Sequence, residues 1–128
     1  MSQNLPPSRA GHSAVLYQDR MIVFGGKDED NNKLNDIWAF DFPTNKWSEI
    51  QLSEANYLKP TTRSGHSACI YNDFMVVFGG IHEVTKELSD MCAFDIKQNK
   101  WVQFFEEISS PIKQGSSANS IRKKDDSP

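Results

Sequence analysis

With 128 residues, 38% of them hydrophobic and 11% aromatic, the chain has enough apolar material for a core. Its 14 Lys and Arg against 17 Asp and Glu leave a formal net charge of −3, which argues against nucleic-acid binding, since phosphate contact needs a clustered cationic surplus. No apolar run approaches the roughly 20 residues of a membrane span, and Met-Ser-Gln-Asn-Leu-Pro-Pro at the start lacks the order of a secretory leader, so a soluble, cytoplasmic protein is expected.

Residues 12–17 are small or apolar over a strand's length and close on Gln18-Asp19, a two-residue gap that predicts a hairpin turn. Residues 21–24, Met-Ile-Val-Phe, form a short continuous apolar run, as in a strand covered on both faces, and end at Gly25-Gly26. Paired glycines suit a backbone that must take positive φ or let another strand pass close. Residues 27–33 are too charged for a core and read as a loop. A third strand over 36–40 and a fourth over 46–50 follow, joined by a tight turn at 41–45, where Asp and Asn side chains can bond their own backbone.

The same succession then returns. Strands are predicted at 66–71, 75–78, 90–94 and 100–104, with Gly79-Gly80 closing the second and a polar loop at 82–87. Laid over 60–101, residues 6–47 match at 22 of 42 positions, a step of 54. A period near 50 marks a unit that cannot bury its own faces and stacks on its neighbours, and four antiparallel strands per unit make a propeller blade. The organisation is thus residues 6–52, residues 60–106, and a segment 107–128 that is either a polar tail or the degenerate start of a third blade, because Lys-Gln-Gly-Ser-Ser-Ala at 113–118 lies over 63–68.

Arg-x-Gly-His-Ser-Ala, then Val-Phe-Gly-Gly, then Asp-x-x-Ala-Phe-Asp, then Asn-Lys-Trp occur in both copies. This pattern resembles the kelch repeat, with its double glycine after the second strand, an aromatic in the third and a tryptophan in the fourth. Phe40 and Phe94 stand where that family most often has tyrosine. The resemblance implies an all-β fold, two four-stranded antiparallel kelch blades forming part of a β-propeller. Two blades fall short of the typical four to eight, leaving bare apolar faces. The chain is then a fragment of a longer propeller protein, an incomplete gene product, or a unit that self-assembles to complete a ring.

The resemblance also implies candidate partner-binding residues. In some kelch propellers arginines just before the first strand point into the channel mouth and grip acidic peptides, which singles out Arg9 and Arg63, with Ser64 beside the second and Ala10 beside the first. The alternative is that each arginine pairs with a recurring blade aspartate, Asp36, Asp41, Asp90 or Asp95. Recurrence in every blade argues for structural work rather than acid-base catalysis. His12 and His66 sit on separate spokes without ligand spacing and His82 falls in a predicted loop as a solvated side chain, so no metal is expected. Cys69 and Cys92 replace Val15 and Trp38 of the first copy, which argues against a disulfide framework and for free buried thiols.

The expected function is a non-enzymatic scaffold or adaptor that presents loops to a protein or peptide partner, an acidic one if the arginines are used, with no cofactor and no catalytic residue. The alternative is a fragment of a kelch-like propeller enzyme of the sugar oxidase or sugar-processing type. Its ligand tyrosines would come from several blades, whereas Tyr17 and Tyr71 are expected to pack.

Overall fold

The computed structural model describes residues 4–53, 58–83 and 86–102. Eight strands fill most of this length: β1 (Ser13–Tyr17), β2 (Arg20–Lys27), β3 (Lys33–Asp41), β4 (Lys46–Glu49), β5 (Ser67–Tyr71), β6 (Phe74–Glu83), β7 (Lys86–Asp95) and β8 (Lys100–Val102). They pair antiparallel in chain order as two sheets, β1-β2-β3-β4 and β5-β6-β7-β8. The two sheets are the two sequence copies, and each is a blade. The segment 107–128, with its candidate third blade, and residues 103–104 of the predicted fourth strand lie outside the described residues.

Turn chemistry sets the boundaries. Gln18 and Asn72 take φ of 54° each, so the hairpins β1-β2 and β5-β6 turn through a left-handed residue. Between β3 and β4 the Asp41 carboxylate accepts from Thr44 N at 3.1 Å and Thr44 Oγ1 at 2.6 Å, and between β7 and β8 Asp95 accepts from Lys97 N and Gln98 N at 3.0 and 3.1 Å. Asn45 and Asn99 close these turns at φ 58° and 57°, a conformation asparagine tolerates.

Strand alternation decides which side chains meet. Register places Val15 opposite Ile22 opposite Ala39, and Phe24 opposite Ile37, on one face of the first sheet. In the second sheet the contributing face is the other one: Ala68 and Ile70, then Met75 and Val77, then Phe94 and Trp101. These two faces press together into a single core, in which Ile22, Phe24, Met75, Val77 and Phe94 are fully buried. The innermost strands β1 and β5 approach each other directly, so the wedges converge on that side.

Three expectations are corrected. The glycine pairs do not end their strands. β2 runs to Lys27 and β6 to Glu83, with register shifts between Phe24 and Gly26 and between Phe78 and Gly80, because a bulge absorbs the glycines and the ladder resumes beyond it. Residues 82–83 and 86–87, expected in a loop, are strand: β6 and β7 pair on to Glu83 opposite Lys86. The thiols are not both buried: Cys92 packs against the core, Cys69 does not. Cys69 is exposed and Cys92 half-buried, because alternation turns Cys69 onto the face of β5 that looks away from the first blade.

Candidate functional site

The segments that enter each blade, residues 9–11 and 63–65, lie against the ends of the β2-β3 and β6-β7 hairpins through the bridges Ala10 to Lys27 and Ser64 to Ile81. Arg9 and Arg63 are anchored there. Arg63 Nη1 and Nη2 donate to the two oxygens of Asp90 at 2.6 and 3.0 Å, a fork-to-fork pair, and Arg9 makes the same pair with Asp36 at 2.6 and 2.9 Å. Nη1 also donates to the first glycine carbonyl of its own blade, Gly79 or Gly25, at 3.0 Å. Each arginine therefore ties the blade entry, the glycine bulge and the third strand of one blade together.

Arg63 is fully buried. Its Nε donates to Thr61 O and its remaining Nη2 hydrogen to Thr61 Oγ1, both at 3.1 Å, so the five N–H donors of a guanidinium are all engaged. A peptide carboxylate would have to displace Asp90 to reach it. Ser64 is also buried, at 8% exposure. Arg9 keeps the same frame with Pro7 where Arg63 has Thr61, so its Nε bonds Pro7 O at 3.2 Å and no side-chain hydroxyl stands beside its Nη2. The two arginines occupy equivalent places in successive blades, and the entry segments that carry them and Ser64 run side by side, with Gly65 N donating to Gly11 O at 2.8 Å.

Electrostatics follow from the pairs. The Arg63 bonds hold the Asp90 carboxyl below the usual range. At Asp36 burial pushes upward, but the Arg9 bonds and the Trp38 indole donor, 2.9 Å from Oδ2, outweigh it and leave the carboxyl low as well. Cys92 replaces that tryptophan in the second copy; burial and the neighbouring Asp90 raise its thiol to about 11. It is an inert thiol at neutral pH.

The histidines part company. His66 is inserted between the blades, its Nε2 2.8 Å from Ser13 Oγ and 3.1 Å from Phe24 O, and burial lowers its pKa. His82, expected as a solvated loop side chain, sits in β6 with Nδ1 2.8 Å from Thr62 O, so the extended hairpin has drawn it into the structure. Among the described residues, no group of three or more His, Cys, Asp and Glu could hold a metal ion. Tyr17 packs at the junction, whereas Tyr71 is exposed.

The loop between β2 and β3 is built on Asp28, whose Oδ1 accepts from Asp30 N and Asn32 N at 3.0 and 2.9 Å, with Asn31 at φ 68°. An Asx-type turn thus presents Glu29, Asp30 and Asn31 outward. Nothing in the sequence flagged the contacts that join the blades, Tyr17 to Asp73 and His66 to Ser13, because the partners are more than 50 positions apart.

The whole motif set therefore stands in its places, glycine bulge, third-strand aromatic, fourth-strand tryptophan and the arginine-aspartate clamp, twice over. Residues 1–125 match the family model described as the KLHDC2/KLHL20/DRC7 Kelch-repeats domain. The chain belongs to the kelch-repeat family.

Among kelch relatives, Kelch domain-containing protein 3 of Rattus norvegicus is 35% identical over 98 residues, covering 76% of this chain and 25% of that protein. Rho GTPase-activating protein gacHH of Dictyostelium discoideum is 35% identical over 106 residues, 80% of this chain and 7% of that protein. Acyl-CoA-binding domain-containing protein 5 of Arabidopsis thaliana is 31% identical over 107 residues, 83% and 16%. The chain spans a quarter or less of the length of these relatives. No helix among the described residues is long and apolar enough to cross a membrane.

Proposed function

We propose that this chain works as a non-enzymatic protein-interaction module, a scaffold or adaptor whose kelch blades present loops to a protein or peptide partner. The observation that carries it is the contrast between clamp and loop. The arginine-aspartate clamp repeats atom for atom in both blades, while the hairpin tips it supports share almost no residues: Lys-Asp-Glu-Asp-Asn-Asn-Lys at 27–33 and Ile-His-Glu-Val-Thr-Lys-Glu at 81–87. A rigid frame with divergent tips is the arrangement of recognition surfaces. Arg9, Arg63 and Ser64 act in this scheme as positioning residues, and the contact atoms belong to the loops. The Asp-Glu-Asp tip of the first loop suits a partner with basic character better than an acidic peptide.

Selection of displayed peptides against the chain tests this, with a variant in which residues 28–32 are replaced by Gly and Ser as the counter-selection. Peptides enriched in Lys or Arg that bind the parent and lose at least tenfold in affinity on the variant, at unchanged circular dichroism, are the expected result. Stoichiometric copper with sugar oxidation would instead establish the enzyme alternative, and peptides indifferent to the loop would overturn the proposal.

A further inference from the structure

One corner of the contact between the blades turns on a single titratable ring. His66, just ahead of β5, is 8% exposed, with its Nε2 2.8 Å from Ser13 Oγ and 3.1 Å from Phe24 O on the first blade. A carbonyl only accepts, so Nε2 carries the hydrogen and the neutral ring keeps its lone pair on Nδ1. That atom is buried and has no hydrogen-bond partner among the described residues. The ring is also closely fitted. A Cβ on Gly25 would stand 2.8 Å from Cε1 and 3.5 Å from Nε2, and a Cβ on Gly80 would stand 3.0 Å from the histidine Cβ.

A further proton has to go to Nδ1, where no acceptor among the described residues receives the new N–H. The elements packed on the ring offer Ser13 from β1, Phe24 and Gly25 from β2 and Gly80 from β6, none of them charged. The titratable and charged groups that act on it are Arg63, in the entry segment of the second blade, and His12, in that of the first, and both oppose added positive charge. The nearby clamp carboxylates do not compensate, because Asp36 and Asp90 are held by Arg9 and Arg63. Burial acts in the same direction, and the pKa of the ring lies below its usual 6.5. A protonated His66 is therefore at odds with the closed corner and suits one that admits water.

Around this ring the two backbones are joined directly. Gly26 N donates to Arg63 O at 2.8 Å, Gly65 N to Gly11 O at 2.8 Å and Arg63 N to Leu34 O at 3.0 Å, all from one blade to the other. Within each blade the same segments are held separately, Ala10 N to Lys27 O at 2.9 Å in the first and Ser64 N to Ile81 O at 3.0 Å in the second. We propose that this corner of the junction is proton-operated: His66 takes up a proton at Nδ1, leaves its seat between Ser13 and Phe24, and releases the cross-blade bonds of Gly26, Arg63 and Gly65 while both sheets stay intact. Leu34 follows the first variable hairpin tip and Ile81 opens the second, so the corner that loosens is the one from which both tips project. Release frees one tip relative to the other, whatever the tips bind.

Amide hydrogen exchange on the full chain, followed from about pH 7.5 to 5, tests this, each rate being divided by that of an unstructured peptide at the same pH so that it reports the opening equilibrium. The amides of Gly26, Arg63 and Gly65 are expected to open at least about tenfold more readily than those of Ala10, Lys27, Ser64 and Ile81. Their opening should grow by up to about tenfold per pH unit below 6.5, the slope of a single proton, and level once the closed form is itself protonated. In His66→Gln, whose side-chain N–H can still donate to Phe24 O, that growth is expected to vanish. Cross-blade amides that open no more readily than those within a blade would mean that the proton acts only through complete unfolding, and the proposal would fail. Opening that does not change with pH, or growth that persists in His66→Gln, would overturn it too. Should the variant not fold, the His66 ring is titrated in the parent by nuclear magnetic resonance: a midpoint below 6.5 that the Gly26 and Gly65 amide shifts follow supports the proposal, and a ring titrating at 6.5 or above with those amides unmoved refutes it.

Discussion

The Tyr17 hydroxyl donates to Asp73 Oδ1 at 2.7 Å, joining the end of β1 to the first turn of the second blade across 56 residues of chain. The carboxylate, as acceptor of this hydrogen bond, raises the pKa of the phenol above 10.0. The first blade thus holds the second by a polar latch as well as by the apolar core. Tyr17→Phe is expected to lower the midpoint of thermal unfolding by a few degrees and to remove one late-ionising tyrosine from the ultraviolet titration. An unchanged titration would place the latch elsewhere.

The arginine clamp predicts an asymmetry. Asp90→Ala leaves the guanidinium of a fully buried Arg63 without its carboxylate, and about 3 kcal/mol is expected to be lost, the low end for a broken buried pair because Asp90 is itself half open to water. Arg63→Met with Asp90→Leu removes both charges and should cost less than Asp90→Ala alone. Arg63→Lys should not restore the parent, since an ammonium cannot serve Asp90, Gly79 O and Thr61 together. Urea unfolding of the four chains measures this, and equal losses from Asp90→Ala and the double variant would refute it.

Acidification should act in two stages. His66 has its pKa lowered from 6.5 by burial, so the unfolded chain takes the proton first and stability falls as pH drops below about 6.5, levelling once the folded histidine is protonated too. Asp36 and Asp90 are lowered from 3.8, so their contribution is complete above that value and is lost as pH falls through the folded values. His66→Gln is expected to abolish the first stage and leave the second. The midpoint of urea unfolding followed from pH 8 to 3 shows both.

The two first-position glycines separate backbone strain from blade contact. Gly25 and Gly79 have φ of 70° and 72°, so alanine at either pays a left-handed penalty of about 1–3 kcal/mol. Gly25→Ala adds a Cβ 3.0 Å from Arg63 O and 2.8 Å from the His66 ring, while among the described residues Gly79→Ala meets only Leu88 O at 3.3 Å. Gly25→Ala should be the more destabilising in dilute solution. Equal effects would mean that the junction yields freely.

Much of the fold was legible because kelch blades are locally encoded. Asn45 and Asn99, Asp41 and Asp95, and the apolar runs before the glycines each specify a turn or strand within a few residues, and the 54-residue step doubles every signal. The pairing of Arg9 and Arg63 with blade aspartates was among the alternatives for the same reason. The buried saturation of Arg63 was not visible, because it depends on Thr61 and the Gly79 carbonyl arriving from two other segments. Nor was the continuation of β6 through His82, since polar strand residues outside the core carry no apolar alternation to read.

The order of residues dictated the unit: four strands, their turns, and the recurrence that makes two units alike, all consequences of backbone preferences and periodicity acting over short distances. Only the packed molecule decided what those identical residues do. Phe24 and Phe78 share a motif, yet one is buried and the other open. Burial belongs to the neighbour a face meets, and that is settled by how the blades stack.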